Sequence, residues 1–240
     1  MSVMEKKKKT RSRSPKKKAA QFERILKTGK DLFLEKGRDG FSLRGLAKSL
    51  DMNQNNLYNY VESKRELWIA IRNKFFKQYR DENIEIIKNH NTSIINLLMK
   101  IFENFLQFAD KDFGAFSMMH LIEAPSSDKM GPFEKEYRKF NFLKGTAKVI
   151  QNGINDGKIK ESNAGILSFY TYSLILGAAI VDRHMRIIEQ SEDFNGNLAS
   201  EIIQFGQADF SRKDFRNYIL NKLENSLTDS SLAQKELNTK

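Results

Sequence analysis

Cysteine is absent, and with it every disulfide and every cysteine-ligated zinc site, which suits a reducing interior. Only three prolines and three histidines occur in 240 residues. Scarce proline and the lack of any strand–turn–strand spacing make an all-α protein the expectation. His90, His120 and His184 show no HExxH spacing, so no metal site is expected. No glycine-rich loop of the phosphate-cradling kind is present, and the carboxylates are scattered over amphipathic faces. Nothing here assembles a catalytic constellation, so neither an enzyme nor a cofactor is expected. The charged N-terminus has no apolar stretch behind it and does not read as a signal peptide. The expected location is cytoplasmic.

Apolar residues make up 40% of the chain and include 18 phenylalanines, enough for a buried aromatic core. The net charge of +11 is unevenly held: residues 1–18 account for +8 of it, leaving +3 for the rest. Residues 1–19 are therefore expected to be a disordered basic tail. Two readings of that tail stay open: a solvated arm, or an arm lying along phosphates with little sequence preference.

The stretch 41–67, FSLRGLAKSLDMNQNNLYNYVESKREL, carries the densest local signals. Ser42 stands where an N-cap belongs. Leu43, Leu46, Ala47 and Leu50 follow at i, i+3, i+4 and i+7, the stripe of a short amphipathic helix. Asp51 can take the turn, because Asp tolerates the left-handed region, and Asn53 can cap the next helix. That helix, expected over 54–60, buries Leu57 and leaves Gln54, Asn55, Asn56, Tyr58, Asn59 and Tyr60 without apolar duties. Amides and phenols read base edges and hold phosphates. A short polar helix braced by a small apolar one is a helix-turn-helix.

On these residues the segment from about 21 to 71 resembles the DNA-binding domain of the TetR family of transcriptional regulators. The run Leu57-Tyr58-x-Tyr60-Val61-x-Ser63-Lys64-x-x-Leu67 is similar to the family's Leu-Tyr-x-Tyr-Phe-x-Ser-Lys-x-x-Leu. Asp51 stands where the family usually has Gly, and Asn56 where Thr or Ser is common. The resemblance implies that Arg44 reaches a base from the supporting helix and that Tyr58, Tyr60 and Lys64 hold phosphates. Base reading is expected from Gln54, Asn55, Asn56 and Asn59. Lys64 at a helix N-terminus opposes the dipole, and a phosphate there would satisfy both the lysine and the free amides.

Four segments are expected: the tail 1–19, a helix-turn-helix domain with its connecting helix at 20–88, a larger helical regulatory and dimerisation domain at 89–228, and a frayed end at 229–240. Within the larger domain, apolar spacing predicts helices over 94–108, 113–123, 133–152, 164–188 and 214–227. The segment 196–210 reads as a loop with a short helix. Residues 162–181 carry no charge across twenty positions, but Ser, Thr and Tyr among them favour a buried helix over a membrane span.

The resemblance further implies a homodimer paired through the last two helices. Leu174, Gly177, Ala178 and Val181 are the expected contact residues on one, Phe215, Ile219 and Leu223 on the other. It also raises the possibility of a ligand among Phe102, Phe105, Phe116, Met119, Tyr137 and Phe140. His120 reads as a core histidine, with a polar contact to such a ligand as the alternative. Two functions follow: a repressor released from palindromic DNA by a mostly apolar small molecule, or a non-sensing architectural protein with a solid C-terminal dimeriser.

Overall fold

The computed structural model describes residues 14–127, 129–135, 137–160, 163–192, 194, 196, 198 and 210–228. The end at 229–240, most of the tail and nearly all of 196–210 lie outside them. Every regular element among the described residues is helical, as the sparse proline and missing strand pattern led us to expect.

The chain forms two compact units. The first comprises residues 1–71 and 122–135, the second 72–121 and 136–240. This division differs from the expected segments at two places. The border falls between Ile71 and Arg72, inside the connecting helix and not at residue 88, and the stretch 122–135 joins the first unit.

In the first unit, α1 (Pro15–Gly40) begins five residues before the expected start at residue 20, so residues 15–19 are helical. Ser14 Oγ caps the amide of Lys17, and Pro15 sits in the first turn, where its fixed φ suits a helix. Gly37 breaks α1 with φ 68°, a conformation that a side chain would strain. Ile25, Leu26 and Phe33 are buried, and Phe33 stacks on Phe41. Helix α2 (Leu43–Ser49) is capped as expected, Ser42 Oγ accepting from Gly45 N at 3.0 Å. Leu43, Leu46, Ala47 and Leu50 all face the core. Asp51 holds the left-handed turn at φ 51°. Asn53 Oδ1 then accepts from Asn55 N at 2.8 Å and opens α3 (Gln54–Leu57).

Helix α3 is shorter than the expected 54–60. After Leu57 the amides of Asn59 and Tyr60 bond three residues back, and this tight turn buries Val61 and brings Ser63 to the start of α4 (Lys64–Lys88). Ser63 Oγ caps the amide of Glu66 at 3.0 Å.

The second unit holds the rest of α4 with α5 (Ile94–Lys111), α6 (Phe113–His120), α8 (Leu143–Asn155), α9 (Ala164–Glu189) and α10 (Arg212–Thr228). Helix α9 packs on α5, α8 and α10 and meets the length and apolarity of a membrane span. Its buried Asp182, in ion pairs with α10, makes it a core helix instead. The expected helix over 133–152 is divided. A single turn, α7 (Pro132–Lys135), belongs to the first unit, and α8 begins only at Leu143. In the gap, Arg72 donates to the carbonyl of Lys139 at 3.0 Å, and the amides of Asn141 and Leu143 bond three residues back in tight turns. Helix α6 likewise stops at His120, not at residue 123.

Candidate nucleic-acid interface and ligand cleft

The reading surface starts with what is buried. Leu57 and Val61 are sealed in the first unit's core, and this turns the other side of α3 outward. Asn55, Asn56 and Asn59 are exposed, Gln54 is half-buried, and Arg44 on α2 is exposed. Gln54 Nε2 donates to Tyr58 Oη at 3.3 Å, tying a candidate base reader to a candidate phosphate holder. Tyr60 is half-buried, with Phe22 stacked at 6.0 Å between centroids and Lys18 Nζ 5.9 Å from its ring. Lys64 Nζ lies 6.0 Å from the Phe41 ring. The first turn of α4 is less open than expected, since Ser63 Oγ takes one amide and Glu66 Oε2 takes that of Glu62 at 2.6 Å.

The stretch 122–135 is fastened to this same helix start. Glu66 is buried, and its Oε1 accepts from Phe133 N at 3.1 Å. Arg65 pairs with Glu134 and donates to the carbonyl of Pro125 at 3.2 Å. Phe133 stacks on Phe22. Gly131 lies so close that a Cβ there would collide with the Glu66 carboxylate. None of this was legible in the sequence, where Glu66 is one of many helical acids.

The expected ligand residues divide in the second unit. Phe102, Phe105, Phe116 and Met119 are buried in the core cluster, and a void of only about 20 Å³ borders Phe102 and Phe105. Phe140 is exposed and sits edge-on to Phe169. His120 lies among Phe105, Phe116, Phe142 and Tyr172, and shares a 3.2 Å hydrogen bond with the Tyr172 hydroxyl. Burial, helped by the charge of Arg72, pushes its pKa down to about 3, so His120 is neutral. Tyr137 lies beside Arg72.

A larger space opens elsewhere. A cleft of about 530 Å³ is bounded by α4, α5 and the start of α8, with walls formed by Phe76, Tyr79, Ile84, Ile101 and Phe142. The exposed cations Arg80, Lys144 and Lys148 also line it. An apolar interior with a few charged groups is the usual composition of a small-molecule site.

The expected dimer residues also divide. Leu174, Gly177 and Val181 are on the surface of α9, whereas Ala178 and Leu223 are buried in the chain's own core. Ala178 and Leu223 thus serve the chain's own core, and Phe215 and Ile219 are half-buried against it. Ile166 and Tyr170, four residues apart on α9, and Tyr218 on α10 extend the exposed face and were missed.

Residues 25–71 match the family model described as bacterial regulatory proteins, tetR family. No curated protein matches the sequence. Among solved structures, a tetR family transcription regulator from Shewanella sp. PV-4 aligns with a TM-score of 0.65 at 14% identity, covering 87% of this chain and 98% of that one. FadR from Bacillus subtilis, solved with stearoyl-CoA, gives 0.60 at 15% identity over 85% and 98%. AibR, solved with isovaleryl coenzyme A and operator DNA, gives 0.54 at 14% over 87% and 98%.

Proposed function

We propose that this chain, a TetR-family transcription regulator by its residues 25–71 and its fold, is a cytoplasmic homodimeric repressor released from palindromic DNA by an acyl-chain ligand. The observation that carries the DNA reading is the face formed by Arg44, Gln54, Asn55, Asn56 and Asn59, polar and outward because Leu57 and Val61 are buried. One such face spans too few base pairs for a specific site, and a two-fold dimer doubles it. Selection of bound DNA from a random pool tests this directly. The expected product is an inverted repeat with half-sites about 34–36 Å apart, or a multiple of that spacing. An unordered pool would sink the reading.

Base readers and phosphate holders separate by their signatures. Asn56→Ala should relax preference at one or two positions, at about 1–3 kcal/mol. Lys64→Ala should weaken all sequences alike and lower the magnitude of the slope of log affinity against log salt by roughly 0.9. Lys16, Lys17 and Lys18 crowd the first turns of α1, where cations oppose the dipole and no acid accompanies them. Their joint replacement by Ala should flatten the salt slope further without altering base preference. Unchanged preference in Asn56→Ala would refute the role of α3, and an unchanged slope would refute the phosphate contacts.

The sensing reading rests on the cleft. Its apolar walls suit an acyl chain, its cations suit an anionic group, and two structures of similar fold carry acyl-CoA ligands. The closed packing around Phe116 favours the architectural alternative. Thermal unfolding with and without palmitoyl-CoA decides, since a ligand of the folded state raises its stability.

A further inference from the structure

Arg72 is one of the largest fully buried side chains of the protein, only 1% exposed. Its Nη2 donates to the carbonyl of Lys139 at 3.0 Å and to Asn141 Oδ1 at 3.4 Å, while its Nη1 has no hydrogen-bond partner. Among the described residues no carboxylate pairs with it. The rings of Tyr137, Phe76 and Phe142 stand 5.1 to 5.9 Å from the guanidinium, a weak substitute for an anion. A buried guanidinium without a counter-charge is unfavourable, and proteins retain one where something else completes it. A fastener for residues 137–142 would need only the Nη2 bonds.

Three neighbours of Arg72 show where the missing acceptor would come from. Phe76, Asn141 and Phe142 touch or flank the guanidinium and also form the wall of the 530 Å³ cleft. The guanidinium therefore lies behind residues that face that space. Behind Phe142 lie neutral His120 and Tyr172, which bring no competing cation.

We propose that Arg72 is the anchor for the acyl oxygen of the ligand, a carboxylate or a thioester carbonyl, which reaches Nη1 when Phe142 and Asn141 move aside. The inference rests on the cleft being the ligand site. It gives that site a buried donor set apart from its exposed cationic rim, held in a dry surround where a charge-assisted hydrogen bond is strongest. It also supplies a route for the signal. Arg72 follows directly on Ile71, the last residue of the DNA-binding unit in α4, so an oxygen drawn to the guanidinium acts on the helix that both units share.

The test measures thermal unfolding and ligand affinity for the wild type, Arg72→Met and Arg72→Gln with palmitic acid, palmitoyl-CoA and hexadecanol. Wild type is expected to be stabilised by the acid or the thioester, whichever is the source of the oxygen, and not by the alcohol. Arg72→Met is expected to melt at or above the wild type without ligand, having lost an incomplete cation, and to bind the acyl compound at least tenfold more weakly. Arg72→Gln keeps a donor for the Lys139 carbonyl and serves if the Met variant does not fold; the same loss of affinity is expected. Wild-type affinity in either variant overturns the role of Arg72 and leaves the cleft as the ligand site. Binding of hexadecanol as tightly as the acid does the same. Failure of all three compounds to bind the wild type overturns both the anchor and the sensing function.

Discussion

Val181→Asp is expected to leave a monomer whose affinity for the selected operator falls to the non-specific level, a loss of about 10³-fold or more. Ile166, Tyr170, Leu174, Gly177 and Val181 recur every three or four residues along α9 and are all exposed. Among the described residues nothing covers this stripe, and Ala178 and Ala179 supply the inward face of the helix. In a two-fold pairing each residue near the axis meets its own counterpart, so a single substitution places two carboxylates in an apolar contact. Desolvation and like-charge repulsion then act together. Sedimentation would give the mass and a binding titration the affinity. A variant that stays dimeric and binds its operator normally would move the interface away from this face.

Asp182→Ala is expected to remove about 3 kcal/mol of stability, because it takes away the buried carboxylate that two half-buried arginines share and leaves them to Asp110. The Asp182 carboxylate is 3% exposed and accepts from Arg212 at 3.2 and 2.8 Å, and from Nε of Arg216 at 2.9 Å. Asp110 on α5 takes Arg186 at 2.7 Å, Arg212 at 2.9 Å and Arg216 at 3.2 Å. Two carboxylates thus hold α10 to α9 and α5 through shared guanidinium groups. For a chain of this size the melting temperature should fall by roughly 10 °C. The same network implies a pH dependence. Burial alone would raise the Asp110 pKa, but hydrogen bonds and charge from Arg212 and Arg216 outweigh it and hold the carboxyl below its usual value. The stabilisation from a depressed carboxyl is complete above its unfolded pKa of about 4 and is lost as pH falls through the folded value. Wild type should lose stability below about pH 4, and Asp110→Asn should lose less there. A flat acid limb in the wild type, or an Asp182→Ala variant that melts normally, would deny the network its role.

Local chemistry was legible in the sequence, and chemistry that joins distant residues was not. Ser42 and Asn53 act on backbone three and two residues away and Asp51 on its own, so their types and positions were enough. The same holds for Leu57, whose burial follows from its place in a short apolar pattern. Arg72 and Asp182 gave no such sign, since their partners lie 67 residues or at least 30 residues away along the chain. Helical spacing from 133 to 152 was sound as periodicity and wrong as structure, since the segment between α7 and α8 turns to meet Arg72, a partner far along the chain. Phe116 was ambiguous for a different reason. A phenylalanine stripe has one composition whether it encloses a ligand or only itself, and here Phe116 is fully packed.

The fastening of 122–135 to the start of α4 makes the DNA-binding head a discontinuous module. Glu66 takes its second backbone partner from Phe133, and Arg65 takes acceptors from Pro125 and Glu134 of the same returning stretch. Excised at residue 71 or 88, the head would expose a carboxylate shaped around Gly131 and an aromatic face on Phe22 shaped around Phe133. A hybrid that puts this head on another sensor would need the returning stretch as well as the first 71 residues. The inheritable unit is thus two pieces of sequence, and recombination at a single point cannot transfer it whole.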